Sequence, residues 1–283
     1  MKLHAVITTI QEPTDCVRDL VRALTATKSP LTVIGDKKGP IRYDLDGTRF
    51  FSLQAQEALP FGLSRLLPTG SYTRKNLGYL IAISEGAECI YETDDDNRPL
   101  HGWRVRNQEI KAHRVNLTGW YNVFRCFSPD NIWPRGFPLQ EIRPPASPGM
   151  VDTAEIALKA PLQQGLVNGS CDVDAIWRLT MDHEQTFENG PSVFLPAGVW
   201  CPFNSQSTWW WPEAYPLMYL PSFCTFRMTD IWRGFVALRC LWALGYGVVF
   251  HAAEVYQDRN KHNLIQDFQD EVPGYLQNAS ICQ

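Results

Sequence analysis

The run Glu92-Thr93-Asp94-Asp95-Asp96-Asn97 sets four acids within five residues, directly after the apolar piece Cys89-Ile90-Tyr91. Like charges at this density repel unless something positive lies between them, and a divalent cation is the natural choice. Asp94 and Asp96 are two apart, so in extended chain they face the same way and can share a hard cation, which in turn can bridge diphosphate oxygens. A solvated acidic turn is the alternative. The position after a buried strand favours the metal site, because ligands of α/β sheets bind beyond the carboxyl ends of strands.

Other residues suit a nucleoside diphosphate. Thr8 and Thr9 close a first strand and can meet a base, while Asp36, at the end of a second, can accept from a base imide or from ribose hydroxyls. Lys37 and Lys38 follow. Arg74 and Lys75 open a helix, where free amides and the helix dipole already favour an anion, and with Asp94 and Asp95 they outline a diphosphate corner. The chain has neither G-x-G-x-x-G after a strand nor G-x-x-x-x-G-K-[ST], which disfavours classical dinucleotide and P-loop sites.

Asp230, just inside a helix start, is the candidate general base, with a first-turn acid as its structural alternative. Trp232 can stack on a sugar ring or pack in the core. Arg135, on a Pro-Gly turn, can touch phosphate or sugar. Asp174 and Arg178 are four apart, so they either pair on a helix or hold sugar hydroxyls. Trp209-Trp210-Trp211 offers an acceptor platform or core, and His251 reads as a core histidine.

These residues need a scaffold, and the first hundred positions supply a βαβ pattern: strands at 6–10, 31–34 and 89–93, helices from the Thr14 cap and over 74–84. The periodicity weakens over 103–221, where Pro and Trp become frequent. A long helix over 229–244 and a strand at 248–250 follow, then a polar tail with a short helix at 264–271 that could fold over the site as a flap. The expected layout is one domain over 1–283: a nucleotide-binding half (1–100), a loop-rich acceptor half (101–256) and a tail or flap (257–283).

The composition is globular, with 283 residues, 45% hydrophobic and 20% charged. Lys plus Arg is 26 against 30 for Asp plus Glu; a net charge of −4 argues against a nucleic-acid binder and leaves room for a local basic pocket. The most apolar run, 234–250, contains Arg239, so no membrane span is expected. Eight cysteines stand singly without C-x-x-C or zinc-like spacing and read as reduced. The N-terminus passes directly into a strand with no h-region, from which a cytoplasmic location is expected and the sequons at Asn116, Asn168 and Asn278 are taken as chance.

Six segments in order carry a resemblance: Val33-Ile34-Gly35-Asp36-Lys37-Lys38, the acidic turn 91–97, Trp133-Pro134-Arg135-Gly136-Phe137-Pro138, Asp172-Val173-Asp174-Ala175, Thr229-Asp230-Ile231-Trp232-Arg233-Gly234 and Gln257-Asp258-Arg259-Asn260-Lys261-His262. The chain resembles the STELLO-type glycosyltransferases and, more distantly, the reversibly glycosylated polypeptides that act as UDP-arabinopyranose mutases. The resemblance implies an α/β fold of GT-A type, a Rossmann-like nucleotide-sugar-binding sheet flanked by helices. It implies a D-x-D motif, Asp94 and Asp96, holding Mn²⁺ or Mg²⁺, with a third metal or diphosphate contact from His262 or Gln257 and with Arg259 on phosphate. It places Asp230 on the acceptor side and aligns Arg135 with the arginine that becomes glycosylated in the mutases. The implied activity is metal-dependent transfer from a UDP- or GDP-sugar to a hydroxyl of a glycan or other acceptor, with a nucleotide-sugar mutase or a non-catalytic carbohydrate-binding or scaffold protein as alternatives. Asp230 would take the acceptor proton if the reaction inverts and would only orient groups if it retains configuration.

Overall fold

The structure, a computed structural model, describes residues 1–143, 151–181, 183–258 and 263–282. Its first strand, β1 (Leu3–Thr9), buries six of its seven residues, as a parallel strand inside an α/β sheet does. Thr14 caps α1 (Asp15–Ala26) by accepting from the Val17 amide, and Val17, Leu20, Val21 and Leu24 form the buried face of the helix. The chain returns as β2 (Leu31–Gly35), parallel to β1 with Thr9 opposite Gly35, and adds β3 (Thr48–Phe51) outside it.

A short helix, α2 (Leu53–Glu57), precedes α3 (Lys75–Ser84). Helix α3 lies tight against the sheet because Gly78 carries no side chain; a Cβ there would stand 2.4 Å from Val6 Cγ1. Next comes β4 (Cys89–Thr93), fully buried and parallel to β1. The carboxyl ends of β1, β2 and β4 therefore lie side by side, and the loops after them carry the acidic turn and the Asp36-Lys37-Lys38 corner.

The rest of the chain forms β5 (Asn97–Pro99), β6 (Glu109–Val115), β7 (Gly119–Trp120), β8 (Val151–Lys159), β9 (Leu162–Gly169), α4 (Ala175–Thr180), β10 (Val193–Leu195), β11 (Val199–Trp200), β12 (Ser207–Trp210), α5 (Thr229–Ala243), β13 (Val248–Gln257) and α6 (Leu264–Ile281). Among the described residues one eleven-stranded sheet runs β3-β2-β1-β4-β12-β9-β13-β10-β6-β8, with β5 on β13. Strand β12 is antiparallel to both β4 and β9 and so joins the two halves in one sheet.

The half read as loop-rich thus supplies interior strands. Strand β9 escaped notice because it is polar: Gln163 and Gln164 are buried, satisfied by the Asn107 carbonyl (2.8 Å) and Asn204 Oδ1 (2.9 Å). Of the two fates open to the three tryptophans, platform or core, all three take the core: Trp209 donates to Glu254 (3.0 Å) and Trp210 to Glu92 (2.8 Å), with Trp211 buried beside them. His251 is buried between Ser192 and Gln163, as expected, and burial pulls its pKa well down. Helix α6 runs on past Pro273 and is docked where a flap was expected; Glu271 accepts from the Ala175 amide (2.7 Å) and Asn278 Nδ2 donates to the Gly136 carbonyl (2.8 Å). All eight cysteines are free, and no described helix is long and apolar enough to cross a membrane.

Candidate active site

A cleft of about 590 Å³ opens over the carboxyl ends of β1, β2 and β4 and extends to the start of α5. The acidic turn forms its floor. Thr93 Oγ1 (2.6 Å) and Asn97 Nδ2 (3.0 Å) both donate to the Gln206 carbonyl and anchor the turn at either end. Tyr72 Oη and Lys75 Nζ each donate to Asp94 Oδ1 at 2.8 Å, and the fully buried Lys75 ammonium lies 4.8 Å from the centroid of the Tyr72 ring. Asp95 accepts from the Thr9 hydroxyl. Asp96 Oδ2 accepts from Gln257 Nε2 at 2.9 Å, whereas Asp96 Oδ1 is buried with no partner. Burial pushes Asp95 up to about 6 against its Thr9 hydrogen bond, and burial with the nearby Asp94 pushes Asp96 up to about 7.

The donor chemistry fits a hard divalent cation: two carboxylates two residues apart, one with a buried orphan oxygen. Among the described residues no set of three His, Cys, Asp or Glu side chains forms a complete metal cage. An ion on Asp94 and Asp96 would take its other ligands from water and phosphate, as Mg²⁺-type sites commonly do.

At the end beyond β1 and β2 the cleft is lined by Thr8, Thr9, Asp36, Lys37, Lys38 and Arg74. Asp36 Oδ1 accepts from the amides of Lys37 (2.7 Å) and Gly70 (2.8 Å) and Oδ2 from that of Ser71 (2.8 Å), so it also ties down the loop before α3. Arg74 is buried and donates to Gln56 Oε1 (2.6 Å) and the Leu67 carbonyl (3.0 Å); burial draws its pKa down. Lys75 lies beneath the cleft, its charge engaged by Asp94.

At the far end Arg135 lies between two carboxylates. Its Nε and Nη2 donate to Asp172 at 2.7 and 2.8 Å, and Nη1 and Nη2 to Asp230 at 3.0 Å each. The turn that aims it has Gly136 at φ +90, where a Cβ would stand 2.4 Å from Ile231 Cγ2. Burial alone would lower the Arg135 pKa, yet Asp172 and Asp230 hold it well above the usual value. Burial alone would raise Asp172; Arg135 and Arg227 outweigh it and hold the carboxyl down. Asn204 Nδ2 also donates to Asp172 (2.9 Å), and Arg227 Nε donates to Glu271 (2.8 Å).

Several expected residues lie elsewhere. Asp174 caps α4, accepting from the Trp177 amide (2.8 Å) and Trp133 Nε1 (2.6 Å), and burial pushes it up to about 6 against those bonds. Arg178 does not pair with it; it donates to the Cys171 carbonyl and lies 5.8 Å over the Trp177 ring. Trp232 Nε1 donates to Asn278 (2.9 Å). None of these three lines the cleft: Asp174 and Arg178 fasten α4 to neighbouring loops, and Trp232 fastens α5 to α6. Arg259 and His262 lie outside the described residues, while Gln257 reaches the acidic turn. Sequence reasoning missed Asp172, Arg227, Tyr72, Gln206 and Phe226, all of which line the cleft. Asp172 had a usable signal as the first acid of a second D-x-D pair; the others lie in irregular segments with no periodicity.

No family model matches the chain. Over 265 residues it is 29% identical to "Probable glycosyltransferase STELLO1" of Arabidopsis thaliana, covering 85% of this chain and 33% of that protein. Over 279 residues it is 28% identical to "Probable glycosyltransferase STELLO2" of the same plant, covering 89% and 35%. The chain thus spans about a third of the length of the curated relatives it matches. Among solved structures, glucosyl-3-phosphoglycerate synthase of Mycobacterium tuberculosis aligns with a TM-score of 0.47 at 10% identity, covering 99% of this chain and 80% of that one. By sequence the chain is a homologue of the two STELLO proteins of Arabidopsis, matched over most of its own length.

Proposed function

We propose that this chain is a metal-dependent glycosyltransferase module of GT-A type that binds a UDP- or GDP-sugar and passes the sugar to a hydroxyl acceptor. The observation that carries the reading is the cleft over three parallel strand ends, whose lining combines Asp94 and Asp96 with the basic residues Lys37, Lys38 and Arg74. The likeness to proteins named as glycosyltransferases supports it. Asp94 and Asp96 would hold Mn²⁺ or Mg²⁺, with His262 or Gln257, the latter hydrogen-bonded to Asp96, as a third metal or diphosphate contact. Such a cation, when bound, neutralises charge on the leaving diphosphate.

The chain's own residues do the rest. Thr8 and Thr9 present hydroxyl and backbone groups to the base. Asp36, already ordered by three amides, accepts from the imide or a ribose hydroxyl, while Lys37, Lys38 and Arg74 draw in the phosphates. Thr9 holds Asp95 in place at the floor. Asp230 receives the acceptor hydroxyl, as base in an inverting reaction or as an orienting group in a retaining one. Arg135 is a positioning residue that fixes Asp230 and Asp172. Its three nitrogens all face acids, and a guanidinium so firmly protonated is a poor nucleophile, which favours transfer over a mutase forming a sugar adduct on Arg135.

Calorimetric titration of UDP and GDP with Mn²⁺ or with EDTA tests the donor site. Affinity should drop at least about tenfold in EDTA and in Asp96→Ala. Equal affinity with and without metal, or an unaffected Asp96→Ala, refutes the reading. Mass spectrometry after incubation with a panel of nucleotide sugars separates transfer (free diphosphate) from mutase action (ring isomer) and from a carbohydrate-binding scaffold (no turnover).

A further inference from the structure

The acceptor end of the cleft carries an exposed aromatic ring beside a closed charge network. Phe226 lines the cleft yet is 58% exposed, a large apolar surface left in water; the other such side chain of the cleft, Ile10 at 50%, stands after β1, away from this charge network. Its position is fixed from both sides. The Thr225 hydroxyl donates to the Asp270 carbonyl (2.5 Å) and Arg227 pairs with Glu271 (2.7 Å), both on α6, while the Phe226 ring meets the Tyr72 ring edge-on at 5.8 Å. Tyr72 in turn holds Asp94, so the exposed ring stands next to the donor floor.

The charges at this end decide what can lie on that ring. Arg135 is taken up by Asp172 and Asp230, and Arg227 by Glu271 with Asp172 at 3.9 Å, so two guanidiniums face three carboxylates. Among the described residues lining this end, no cation is left unpaired for a phosphate or carboxylate. Asp230 and Asp172 accept from Arg135, and Asp172 from Asn204 as well, yet each carboxylate keeps acceptor capacity that a hydroxyl donor fills and a wholly apolar acceptor does not. A pyranose ring meets both conditions, with an apolar C–H face for the aromatic ring and hydroxyl donors for the carboxylates.

Resting on the transferase reading above, we infer that Phe226 is the acceptor platform and that the acceptor is an uncharged saccharide. Its hydroxyl donates to Asp230 while the sugar ring stacks on Phe226.

The test uses the full chain saturated with UDP and Mn²⁺, titrated with neutral gluco-, xylo- and manno-oligosaccharides and with an oligogalacturonide, and read by saturation-transfer NMR. At least one neutral series should bind and the uronide should not. Phe226→Ala should weaken the neutral ligand about fivefold or more, Phe226→Trp should keep it, and both should leave UDP affinity unchanged. Phe223→Ala, fully exposed and outside the cleft, is the matched control. Preference for the uronide, an unchanged Phe226→Ala, or no saccharide binding by a protein that binds UDP overturns the inference. A protein that binds no UDP overturns the donor reading, and this inference with it.

Discussion

Arg135 faces two acids, Asp230 and an Asp172 that Arg227 also approaches, and that arrangement predicts how the two kinds of variant differ. In Asp230→Asn the guanidinium keeps its bidentate partner Asp172, so the protein should fold and bind UDP normally while transfer falls by roughly 10² to 10⁴. Arg135→Ala removes the cation from two buried carboxylates, which should cost about 3–5 kcal/mol in urea unfolding. The pH dependence follows from Asp172. Its folded pKa lies below the ordinary 3.8, so its stabilisation is complete at neutral pH and is lost as pH falls through the acid range beneath that value. If Asp230→Asn weakens UDP as much as Asp96→Ala does, Asp230 belongs with the donor; if Arg135→Ala is as stable as wild type, the cluster is not a coupled unit.

At the scale of elements, the turn before Phe137 is wedged against α5 and α6 by one glycine. Gly136 combines a left-handed φ of +90 with a Cβ position 2.4 Å from Ile231, and its carbonyl takes Asn278 from α6. Gly136→Ala should therefore cost roughly 1–3 kcal/mol in thermal melts and slow transfer while sparing UDP affinity. An unshifted melting midpoint would show that the turn yields freely. Elements with one plain periodicity were legible in sequence: α1 with its Thr14 cap, β2, α3, β4 and α5 stand within a residue or two of expectation. Strands β8, β9 and β12 were not, since β9 buries glutamines and the Trp run of β12 has no alternation. The cleft was partly legible for the same reason. Residues at strand ends, such as Asp36 and Asp94, follow from local pattern, whereas Asp172 and Phe226 reach the cleft only through long-range packing. Asp174, Arg178 and Trp232 show the converse error, side chains with ligand-like chemistry used to fasten helices.

Across the whole molecule the cleft is electrically lopsided, with exposed Lys37 and Lys38 at one end and an acid-rich, internally paired cluster at the other. Screening shortens from about 10 Å at 0.1 M salt to about 3 Å at 1 M. UDP affinity at fixed Mn²⁺ should thus fall several-fold over that range, while affinity for a neutral saccharide should stay flat; calorimetry at three salt concentrations would show equal slopes if the two ends were not distinct. The placing of β12 has a different kind of consequence, one for the order of synthesis. Strands β3, β2, β1 and β4 are all made before β12, and the outer edge of β4 pairs with Ser207–Trp210, made only after much of the second half. Until then β4 presents a bare apolar edge, a ready template for other chains, and the central pairing must close a long loop. The nascent chain is most vulnerable to association in that interval, and a fragment ending before Ser207 would keep the open edge for good.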